Sequence, residues 1–440
     1  MRATKVVVIG AGSASFGPRI IADVLTHPDM KGSTLALVDT NSAGLKLIAG
    51  LAKRMNAEWD GGLKIEATVD RRRALPEAEF VIVAIARERE KRWRMDWEIP
   101  LKHGLRQPLG ENGGPASFAH AARNIPPVLK ICADMRQLCP DAWFFNFTNP
   151  VPRITLAAHK YGGAKAAGFC HQIGAGFSNI SRLLDIPRED LDIKSAGVNH
   201  FCWLLDLRRK STGEDLYPAL RRKRKSWPEN FQPLTRDVFQ DLDVFPIAGD
   251  GHMDEYLPWV CDPRTKPWEK YNLHLYNWDG AAKGRDAMWK RIEKMVAGQE
   301  PIDDYRRGSG ERAIPVLVGL VKDSNSYELA VNIPNEGYIR NLPQDSIVEV
   351  PAVISGMGIR GVAVGDLPEP VGELCRRQVT VAELAVAAAV TGDRKKALHA
   401  LLLDPMIIDI AQARGILDDY LKAHAPLLPQ FRPARRRRKS

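Results

Sequence analysis

The feature of this sequence that most limits its possible folds is a glycine turn between a short apolar run and a helical pattern. The run Lys5–Ile9 is rich in β-branched residues and leads directly into Gly10 and Gly12, and apolar residues then recur at helical spacing from Ile20 to Leu25. A strand, a glycine turn and a helix in this order are typical of the first unit of a parallel α/β sheet, because glycine permits the tight turn.

Further strands and helices follow this unit in alternation. Apolar runs at 34–38, 80–85 and 143–147 predict strands, and the stretch Asn124–Met135 predicts one of the helices between them. This alternation predicts a parallel sheet covered on both faces. Since a single hydrophobic core rarely exceeds about 250–300 residues, we expect two domains in this chain of 440 residues. We place the first, a doubly wound Rossmann-type domain, at residues 1–160.

The second domain, at residues 161–430, has a less regular pattern. The stretch from Val331 to Pro351 predicts antiparallel strands separated by turns, and with the helical segments it indicates an α+β domain. Thr380 and Glu383 have the spacing of a capping box, so we expect a helix to begin near Thr380.

The excess positive charge of the chain is concentrated in a few places. The formal net charge is +10, and much of the excess lies in an arginine-rich C-terminal tail, residues 431–440. A run of like charges at a chain end is typical of a solvated, disordered tail, so we expect no nucleic-acid partner. Two further basic clusters, at 208–210 and 221–225, predict exposed loops.

The chain carries no recognisable signal for export or membrane insertion. Its first apolar run is too short for a signal peptide, and no stretch approaches the roughly 18 apolar residues that span a bilayer. The six cysteines are scattered and include no CxxC pair, which argues against a disulfide framework and against structural zinc. We therefore expect a cytoplasmic protein without a membrane partner.

The glycine turn also predicts a dinucleotide site. Backbone N–H groups of such a turn bind a pyrophosphate at the helix N-terminus; Gly10 and Gly12 fit this pattern, and Ser15 takes the position of the usual third glycine. Asp39 ends the second strand, where a carboxylate binds ribose hydroxyls and repels a 2′-phosphate, which favours NAD over NADP. The expected cofactor-binding residues are Gly10, Gly12, Ser13, Ser15, Phe16, Asp39 and Asn149. A tight strand–helix turn without a ligand is the alternative.

Asn149 follows the strand at 143–147, at the end of the sheet where open α/β folds bind ligands. Its side-chain amide could contact a substrate hydroxyl or the nicotinamide. An Asn-Pro turn with a purely structural role is the alternative.

Two segments of the second domain contain side chains that can bind a metal. Cys170 and His200 each lie between glycine and apolar residues, and a thiolate with an imidazole could hold a divalent metal with open coordination positions. Cysteine and histidine are also often simply packed in a core. A third segment, Asp250–Tyr256, is dense in titratable groups, and surface exposure is the alternative interpretation there.

Taken together, these segments resemble glycoside hydrolase family 4, the NAD-dependent glycosidases. The resemblance covers nearly the whole chain apart from the basic tail, and its motifs lie at 10–16, 146–150, 168–171, 197–200, 251–256 and 331–335. Each motif is modest by itself, whereas the ordered set is highly specific. This family is an exception to the two-carboxylate chemistry of most glycosidases.

The resemblance implies a fold, a ligand set and an assembly. The C-terminal domain would have the α+β fold of lactate and malate dehydrogenases, and the chain would form a homodimer or homotetramer. Cys170 and His200 would bind a divalent metal, usually Mn²⁺, while Asn149 and Asn199 would contact the sugar. A soft thiolate with an imidazole would by itself suit Zn, Ni or Fe at least as well.

The resemblance also implies a redox route to hydrolysis. NAD⁺ takes a hydride from C3 of the sugar, the metal stabilises charge on the C2 and C3 oxygens, and a base removes the C2 proton. The glycosidic bond then breaks by elimination, and water and the hydride add back. Tyr256 and Asp250 are both candidates for the base. The leaving-group acid is also open, because some members carry Asp directly after the ligand cysteine, whereas this chain has His171.

The substrate prediction comes from the glycine turn. Many members that act on 6-phospho sugars have a Gly-Gly-Gly-Ser-Thr turn, whereas Gly10–Ala14 reads Gly-Ala-Gly-Ser-Ala. This turn is similar to that of members acting on unphosphorylated α-galactosides, α-glucosides or α-uronides. We therefore predict an α-glycosidase whose partner is a small-molecule glycoside.

A lactate/malate-type 2-hydroxy acid dehydrogenase is the alternative function. Such enzymes share the first domain and an Asn-Pro after a strand, and Leu184–Arg188 matches their Leu-Asp-x-x-Arg string. Pro187 would interrupt the helix that this string occupies. Cys170 and His200 have no role in that chemistry, and net release of NADH would distinguish the two functions.

Overall fold

One continuous sheet of eleven strands forms the centre of the molecule. The computed structural model describes residues 1–432, so the predicted tail lies outside the described residues from 433 onward. The strands are β1 (Lys5–Ile9), β2 (Thr34–Val38), β3 (Lys64–Thr68), β4 (Phe80–Val83), β5 (Trp143–Asn146), β6 (Lys165–Gly168), β7 (Leu191–Val198), β8 (Phe201–Arg209), β9 (Ser326–Pro334), β10 (Ile347–Ser355) and β11 (Gly358–Gly361).

The helices pack on both faces of this sheet. They are α1 (Gly17–Thr26), α2 (Ser42–Glu58), α3 (Arg71–Ala74), α4 (Arg89–Lys102), α5 (Gly114–Leu138), α6 (Val151–Leu156), α7 (Gln172–Leu184), α8 (Tyr217–Lys223), α9 (Pro233–Leu242), α10 (Asp250–Met253), α11 (Pro267–Lys270), α12 (Trp278–Val296), α13 (Ala313–Lys322), α14 (Glu369–Thr391), α15 (Arg394–Leu403) and α16 (Ile410–Ala423). Among the residues described, no helix combines the length and hydropathy needed to cross a bilayer.

The N-terminal part of the sheet is parallel. Strands β1 to β6 pair in parallel in the order β3-β2-β1-β4-β5-β6, which is the order of a dinucleotide-binding fold. Val6 and Val8 on one side of β1 and Val7 on the other are all fully buried, because helices cover both faces. The predicted doubly wound parallel sheet is confirmed.

The C-terminal part of the sheet is antiparallel and joins the parallel part at β6. The order continues as β9-β10-β7-β8, and β11 pairs with the C-terminal end of β10, outside this order. Gly168 of β6 pairs with Asn332 of β9, and Glu349 of β10 pairs with both Asn332 and Gly197 of β7. The predicted α+β character of this region is confirmed. The sheet itself runs unbroken past residue 160, and the domain boundary there stays a prediction.

Two local predictions are wrong. Helix α14 begins at Glu369 rather than near Thr380, because buried residues such as Cys375 continue the helical pattern upstream. Within this helix the Thr380 hydroxyl donates to the carbonyl of Arg376 instead of capping an N-terminus. The basic clusters at 208–210 and 221–225 are not simply loops, because they overlap the end of β8 and helix α8.

A buried ionic cluster joins the C-terminal helices to the first domain. The Asp96 carboxylate on α4 pairs with the Arg123 guanidinium on α5, and its Oδ1 lies 2.7 Å from His424 Nε2 just after α16. His120 Nδ1 lies 2.8 Å from Arg123 Nη2 and 3.5 Å from Asp96 Oδ2. All four side chains are at most 1% exposed. Burial acts to raise the pKa of Asp96, but the Arg123 charge together with the hydrogen bonds from His120 and His424 lowers that pKa below its ordinary value.

Replacing Asp96 by alanine should destabilise the fold by about 3–5 kcal/mol, since Arg123 would remain buried without its counter-charge. The measurement is the free energy of unfolding from urea denaturation. Glu98→Ala is the matched control on the same helix, because Glu98 pairs with Arg94 in an exposed ion pair, and its removal should cost at most about 1 kcal/mol. Equal losses for both variants would contradict a structural role of the buried cluster.

Candidate active site

The carboxyl ends of the central parallel strands, together with the turn between β7 and β8, form the region where the predicted site residues lie. Gly10 follows β1, Asn149 follows β5 and Cys170 follows β6, whereas Asn199 and His200 form the turn after β7. Ligands of open α/β sheets bind at this edge, because the loops that leave the strands converge there.

The glycine turn is packed too tightly for side chains. Gly10 has φ +96°, and a Cβ built there would lie 2.1 Å from the carbonyl oxygen of Ala84. A Cβ on Gly12 would lie 2.8 Å from Asp39 Cγ. The Gly12 N–H donates to Asp39 Oδ2 at 2.8 Å, so the predicted acidic residue lies directly against the predicted turn.

Gly17 makes the close contact between the turn and its helix. We predicted this contact at the position of the usual third glycine, which is Ser15. A Cβ on Gly17 would lie 2.2 Å from the carbonyl oxygen of Ala11, whereas Ser15 is exposed. The Phe16 N–H donates to Ser13 Oγ at 3.3 Å, which closes the turn before α1. The sequence signal that could have identified Gly17 is the glycine-proline pair at the start of the helical pattern.

A buried asparagine holds the loop that carries Asn149. Asn146 Nδ2 donates to Thr148 O at 3.1 Å, and Asn146 Oδ1 accepts from the Thr148 N–H at 2.9 Å. Thr148 Oγ1 in turn accepts from the Ile85 N–H at 2.9 Å and so connects the ends of β4 and β5. Asn149 itself is half-buried in this braced loop.

Cys170 and His200 meet although thirty residues separate them. Cys170 Sγ lies 3.3 Å from His200 Nε2. His200 has a left-handed backbone with φ +62°, and its N–H donates to Gln172 Oε1 at 2.6 Å. Burial, with the nearby Glu311 and Glu349 carboxylates, raises the pKa of the Cys170 thiol, whereas burial lowers the pKa of His200 well below its ordinary value. Both groups are therefore neutral at neutral pH when no cation is bound.

His171 is turned toward a glutamate that sequence reasoning missed. Its Nδ1 lies 2.8 Å from Glu311 Oε1, and the hydrogen bond to Glu311 raises the pKa of His171. The Glu311 loop is attached to α1, because the Ser309 N–H donates to Asp23 Oδ1 at 2.8 Å. Helix α1 and the Cys170 loop are thereby linked.

Asn199 is a buried residue that bonds to a second carboxylate. It is 1% exposed, and its Nδ2 donates to Glu349 Oε2 at 2.7 Å while its Oδ1 has no hydrogen-bond partner among the described residues. Glu349 also accepts from Asn332 Nδ2 at 2.9 Å. The motif at 331–335 therefore contributes Asn332 to the buried hydrogen-bond network of Asn199 and Glu349.

The two candidate bases differ in their surroundings. Asp250 Oδ1 accepts from the Thr235 N–H and hydroxyl, both at 2.7 Å, and its Oδ2 accepts from the Leu234 N–H at 3.0 Å. It therefore caps the N-terminus of α9. Tyr256 is stacked on Phe201 with ring centroids 5.0 Å apart, and its hydroxyl lies 3.5 Å from Asn199 O. Burial raises the pKa of Asp250 and raises that of Tyr256 well above its ordinary value.

The segment around Asp250 also borders a cavity of about 610 Å³. Its lining is mainly polar and includes Asp250, Gly251, Asp254, Arg236, Lys270 and Tyr271. Polar side chains and an aromatic ring in a concave site are typical of small polar ligands.

The residues fit both predicted groups. The glycine turn has no room for a Cβ at Gly10 or Gly12, and Asp39 lies beside it, as in the turn that binds a dinucleotide. Around His200, buried polar atoms lack hydrogen-bond partners among the described residues, including His200 Nδ1, Asn199 Oδ1 and Glu255 Oε1. Since an unpaired buried polar atom is costly, a cation among them would be stabilising.

Family models match almost the entire chain. A model described as family 4 glycosyl hydrolase matches residues 5–186, and one described as family 4 glycosyl hydrolase C-terminal domain matches residues 195–407.

Similar curated proteins are glycosidases over their full length. An alpha-glucosidase of Erwinia rhapontici is 32% identical, covering 94% of this chain and 98% of that protein. An alpha-galactosidase of Rhizobium meliloti is 30% identical over 98% and 90% of the two chains. An alpha-galacturonidase of Thermoanaerobacterium saccharolyticum is 28% identical over 95% of each.

Solved structures share the fold. A 6-phospho-alpha-glucosidase from gut microorganisms, solved in complex with NAD and Mn²⁺, has a TM-score of 0.84 at 24% identity and covers 98% of this chain and 100% of that chain. A malate dehydrogenase from Cryptosporidium parvum has a TM-score of 0.53 at 16% identity, covering 88% and 99% of the two chains. The predicted relation of the fold to malate dehydrogenase is confirmed.

The raised pKa of Cys170 predicts slow alkylation of the metal-free protein at pH 8. A pKa above the free-cysteine value leaves a smaller thiolate fraction, and only the thiolate reacts. We expect iodoacetamide to label Cys170 at least about tenfold more slowly in the folded protein than in urea, as one pKa unit would give. Peptide mass spectrometry measures the rates. Ser211→Cys, at an exposed position, provides a reactive internal reference, and equal rates for Cys170 and this reference would contradict the prediction.

Proposed function

The chain belongs to glycosyl hydrolase family 4, and we propose that it hydrolyses unphosphorylated α-glycosides with the help of NAD and a divalent metal. The observation that carries this proposal is the contact between Cys170 Sγ and His200 Nε2 at 3.3 Å. This pair lies at the same edge of the sheet as the Gly10–Gly12 turn, so a cofactor and a metal ion would reach one sugar.

The chain's own residues would hold both groups. We propose that Gly10, Gly12, Ser13, Ser15, Phe16, Asp39 and Asn149 bind NAD, and that Cys170 and His200 bind the metal, with Mn²⁺ as the expected ion. NAD supplies reversible hydride transfer at C3 of the sugar, and the divalent ion supplies Lewis acidity at the neighbouring oxygens. Asn149 and Asn199 would orient the sugar through their side-chain amides, and the short loops from β5 and β7 would keep that orientation rigid.

Tyr256 is our proposed base for the C2 proton. The Asp250 carboxylate is occupied by hydrogen bonds from Leu234 and Thr235, which favours a structural role for it. The Tyr256 hydroxyl lies close to the turn that carries His200. Burial raises the pKa of the Tyr256 hydroxyl and so opposes its ionisation, whereas the nearby Arg153 charge acts to lower that pKa.

His171 is our proposed acid for the leaving group. Its hydrogen bond to Glu311 raises its pKa, so the imidazole keeps its proton to a higher pH than a free histidine. The ring is largely exposed, with 70% of the side chain accessible, and can reach a glycosidic oxygen that enters from solvent.

The substrate assignment favours sugars without a phosphate. The support is the Gly-Ala-Gly-Ser-Ala turn at Gly10–Ala14, since relatives at 30–32% identity include an alpha-glucosidase, an alpha-galactosidase and a probable 6-phospho-beta-glucosidase. The polar cavity beside Asp254 provides room for the aglycone. The unphosphorylated substrates to be tested are α-glucosides, α-galactosides and α-uronides.

We further propose a cytoplasmic enzyme that forms a homodimer or homotetramer. All six cysteines are free, which suits a reducing compartment. The oligomer follows from the family resemblance, and light scattering of the purified protein measures it.

The proposed function predicts that p-nitrophenol is released from an α-glycoside only when both NAD⁺ and Mn²⁺ are present. The panel contains α-glucoside, α-galactoside and α-uronides under a thiol reductant, and each addition is omitted singly. NADH should not accumulate, since the hydride returns to the sugar.

The same assay tests the metal ligand. Cys170→Ser should lower the rate at least about tenfold through metal loss. Cys139→Ser, away from the site in a separate core cluster, should retain the wild-type rate. NADH accumulation with a 2-hydroxy acid and no glycoside cleavage would establish the dehydrogenase instead.

The base assignment predicts different losses for Tyr256→Phe and Asp250→Asn. Tyr256→Phe should lower kcat by about 10²–10⁴-fold with unchanged thermal stability, because only a hydroxyl is removed. Asp250→Asn should lower the melting temperature, because an amide cannot accept all the bonds that cap α9, and should keep kcat within about tenfold of wild type. The measurements are the kcat and the melting temperature of both variants. A large loss of kcat in Asp250→Asn with little loss in Tyr256→Phe would assign the base to Asp250.

A further inference from the structure

Two buried side chains of opposite charge face each other beside the candidate active site without forming a hydrogen bond. Arg106 Nη1 lies 4.0 Å from Asp254 Oδ2, and the two side chains are 5% and 2% exposed. A separation of 4.0 Å is too long for a hydrogen bond. Arg106 Nη1 and Asp254 Oδ1 are both buried without a hydrogen-bond partner among the described residues. Because such atoms are costly to bury, a ligand that binds them is stabilised.

The Arg106 guanidinium is fixed on its other sides. Its Nη2 donates to Leu273 O at 2.9 Å, and the group lies over the Trp268 ring, 4.8 Å from the ring centroid. The side chain is therefore held in place, while its Nη1 edge stays free for a ligand.

Arg106 and Asp254 line two cavities that adjoin. The cavity beside Arg106 measures about 570 Å³, that beside Asp254 about 610 Å³, and both are bordered by residues 272–274. Each volume lies in the range of about 300–1,000 Å³ that is usual for small-molecule sites. Trp268 borders the first cavity and Tyr271 the second, so each offers an aromatic ring to the C–H face of a sugar.

The charges around this pair disfavour an anionic ligand. Two cations of the larger cavity are already paired, because Arg236 and Lys270 donate to Asp237 at 3.0 and 2.8 Å. On the acidic side, burial and the neighbouring Glu255 charge raise the pKa of Asp254 to about 8. A ligand carboxylate would meet the same negative charge of Glu255, with one guanidinium to offset it.

A hydroxyl group fits the gap between the two side chains. Two hydrogen bonds of about 2.9 Å can meet at one oxygen atom across 4.0 Å. A hydroxyl both donates and accepts, so it can accept from Arg106 Nη1 and bond to the Asp254 carboxyl in either protonation state. The pair therefore favours a neutral ligand with several hydroxyl groups, which is the chemistry of a sugar ring.

The larger cavity lies next to the residues proposed to hold the cleaved sugar. Gly251 and Asp254 line it. Between them in the chain is His252, whose ring lies against that of His200 with centroids 3.9 Å apart. A leaving group that points to this side of the cleaved sugar would enter the cavity.

We propose that Arg106 and Asp254 form the aglycone site, and that the aglycone is a neutral sugar bound between them through one of its hydroxyl groups. The preferred substrates are then α-linked disaccharides rather than glycosides of anionic alcohols. This inference rests on the proposed function for the bond that is cleaved, and it names the chemistry of the group on the leaving side.

The experiment compares two substrates of the enzyme loaded with NAD⁺ and Mn²⁺. One is an α-linked disaccharide with glucose on the leaving side, and the other is the glycosyl fluoride of the same cleaved sugar, whose leaving group is too small to reach Arg106 or Asp254. Asp254→Leu and Arg106→Met should each lower kcat/KM for the disaccharide at least about tenfold, as loss of a hydrogen bond to a charged group gives. The value for the fluoride should stay within about twofold, which also shows that the variants fold.

Arg264→Met and Asp141→Leu are the matched controls, since their side chains are 86% and 99% exposed. Both should keep the wild-type values for the two substrates. Equal losses on disaccharide and fluoride in the Arg106 and Asp254 variants would overturn the aglycone site, because the substitutions would then act on the cleaved sugar or on the fold. Unchanged values on both substrates would overturn it as well.

A binding measurement separates this inference from the proposed function. Saturation-transfer NMR of the protein with D-glucose and with D-glucuronate should show stronger binding of glucose, and the glucose signal should fall in Asp254→Leu and Arg106→Met. Stronger binding of glucuronate, or a glucose signal unchanged in both variants, would overturn the aglycone site. Failure of the proposed function would instead show as no cleavage of either substrate by the wild-type protein, with glucose binding intact.

Discussion

The buried carboxylate of Glu349 is the interaction on which the arrangement of this molecule depends. Glu349 is 2% exposed and accepts hydrogen bonds from Asn199 and Asn332. It lies in the row of paired residues Gly168, Asn332, Glu349 and Gly197, which crosses β6, β9, β10 and β7. Because burial raises the pKa of Glu349, these amides are what make an acid tolerable there. The strands joined at this position end in the loops that carry Cys170 and His200.

The electrostatics of the site follow from the same burial. The protonated Cys170 thiol and the neutral His200 imidazole can lie 3.3 Å apart inside the protein. A buried thiolate and imidazolium would each lose hydration, and their mutual attraction would have to offset that loss. A metal ion bound by Cys170 would displace the thiol proton, so metal affinity would be coupled to pH. On the cofactor side, the Gly12 N–H holds Asp39 in place before any ligand arrives, which reduces the ordering that binding would require.

Sequence reasoning succeeded where local pattern decides structure. The strand–turn–helix unit at Lys5–Ile9 and the alternating runs after it were sufficient for the doubly wound sheet, since each signal lies within a few residues. It failed at Thr380, where a local capping pattern lies inside a longer helix stabilised by tertiary burial. It also missed the closing glycine of the turn, because the spacing to Gly17 differs from the usual motif, and the contact with Ala11 shows what Gly17 does.

The sequence by itself determined the sheet class, the family and the residue types available for chemistry, because hydrophobic periodicity and motif order are local properties of the chain. Only the tertiary structure decided which of those residues act together. It brings His200 against Cys170 and against His252, and it ties Asp250 to a helix N-terminus. Such contacts join residues far apart in sequence, and they depend on strand order and register, which no local pattern encodes.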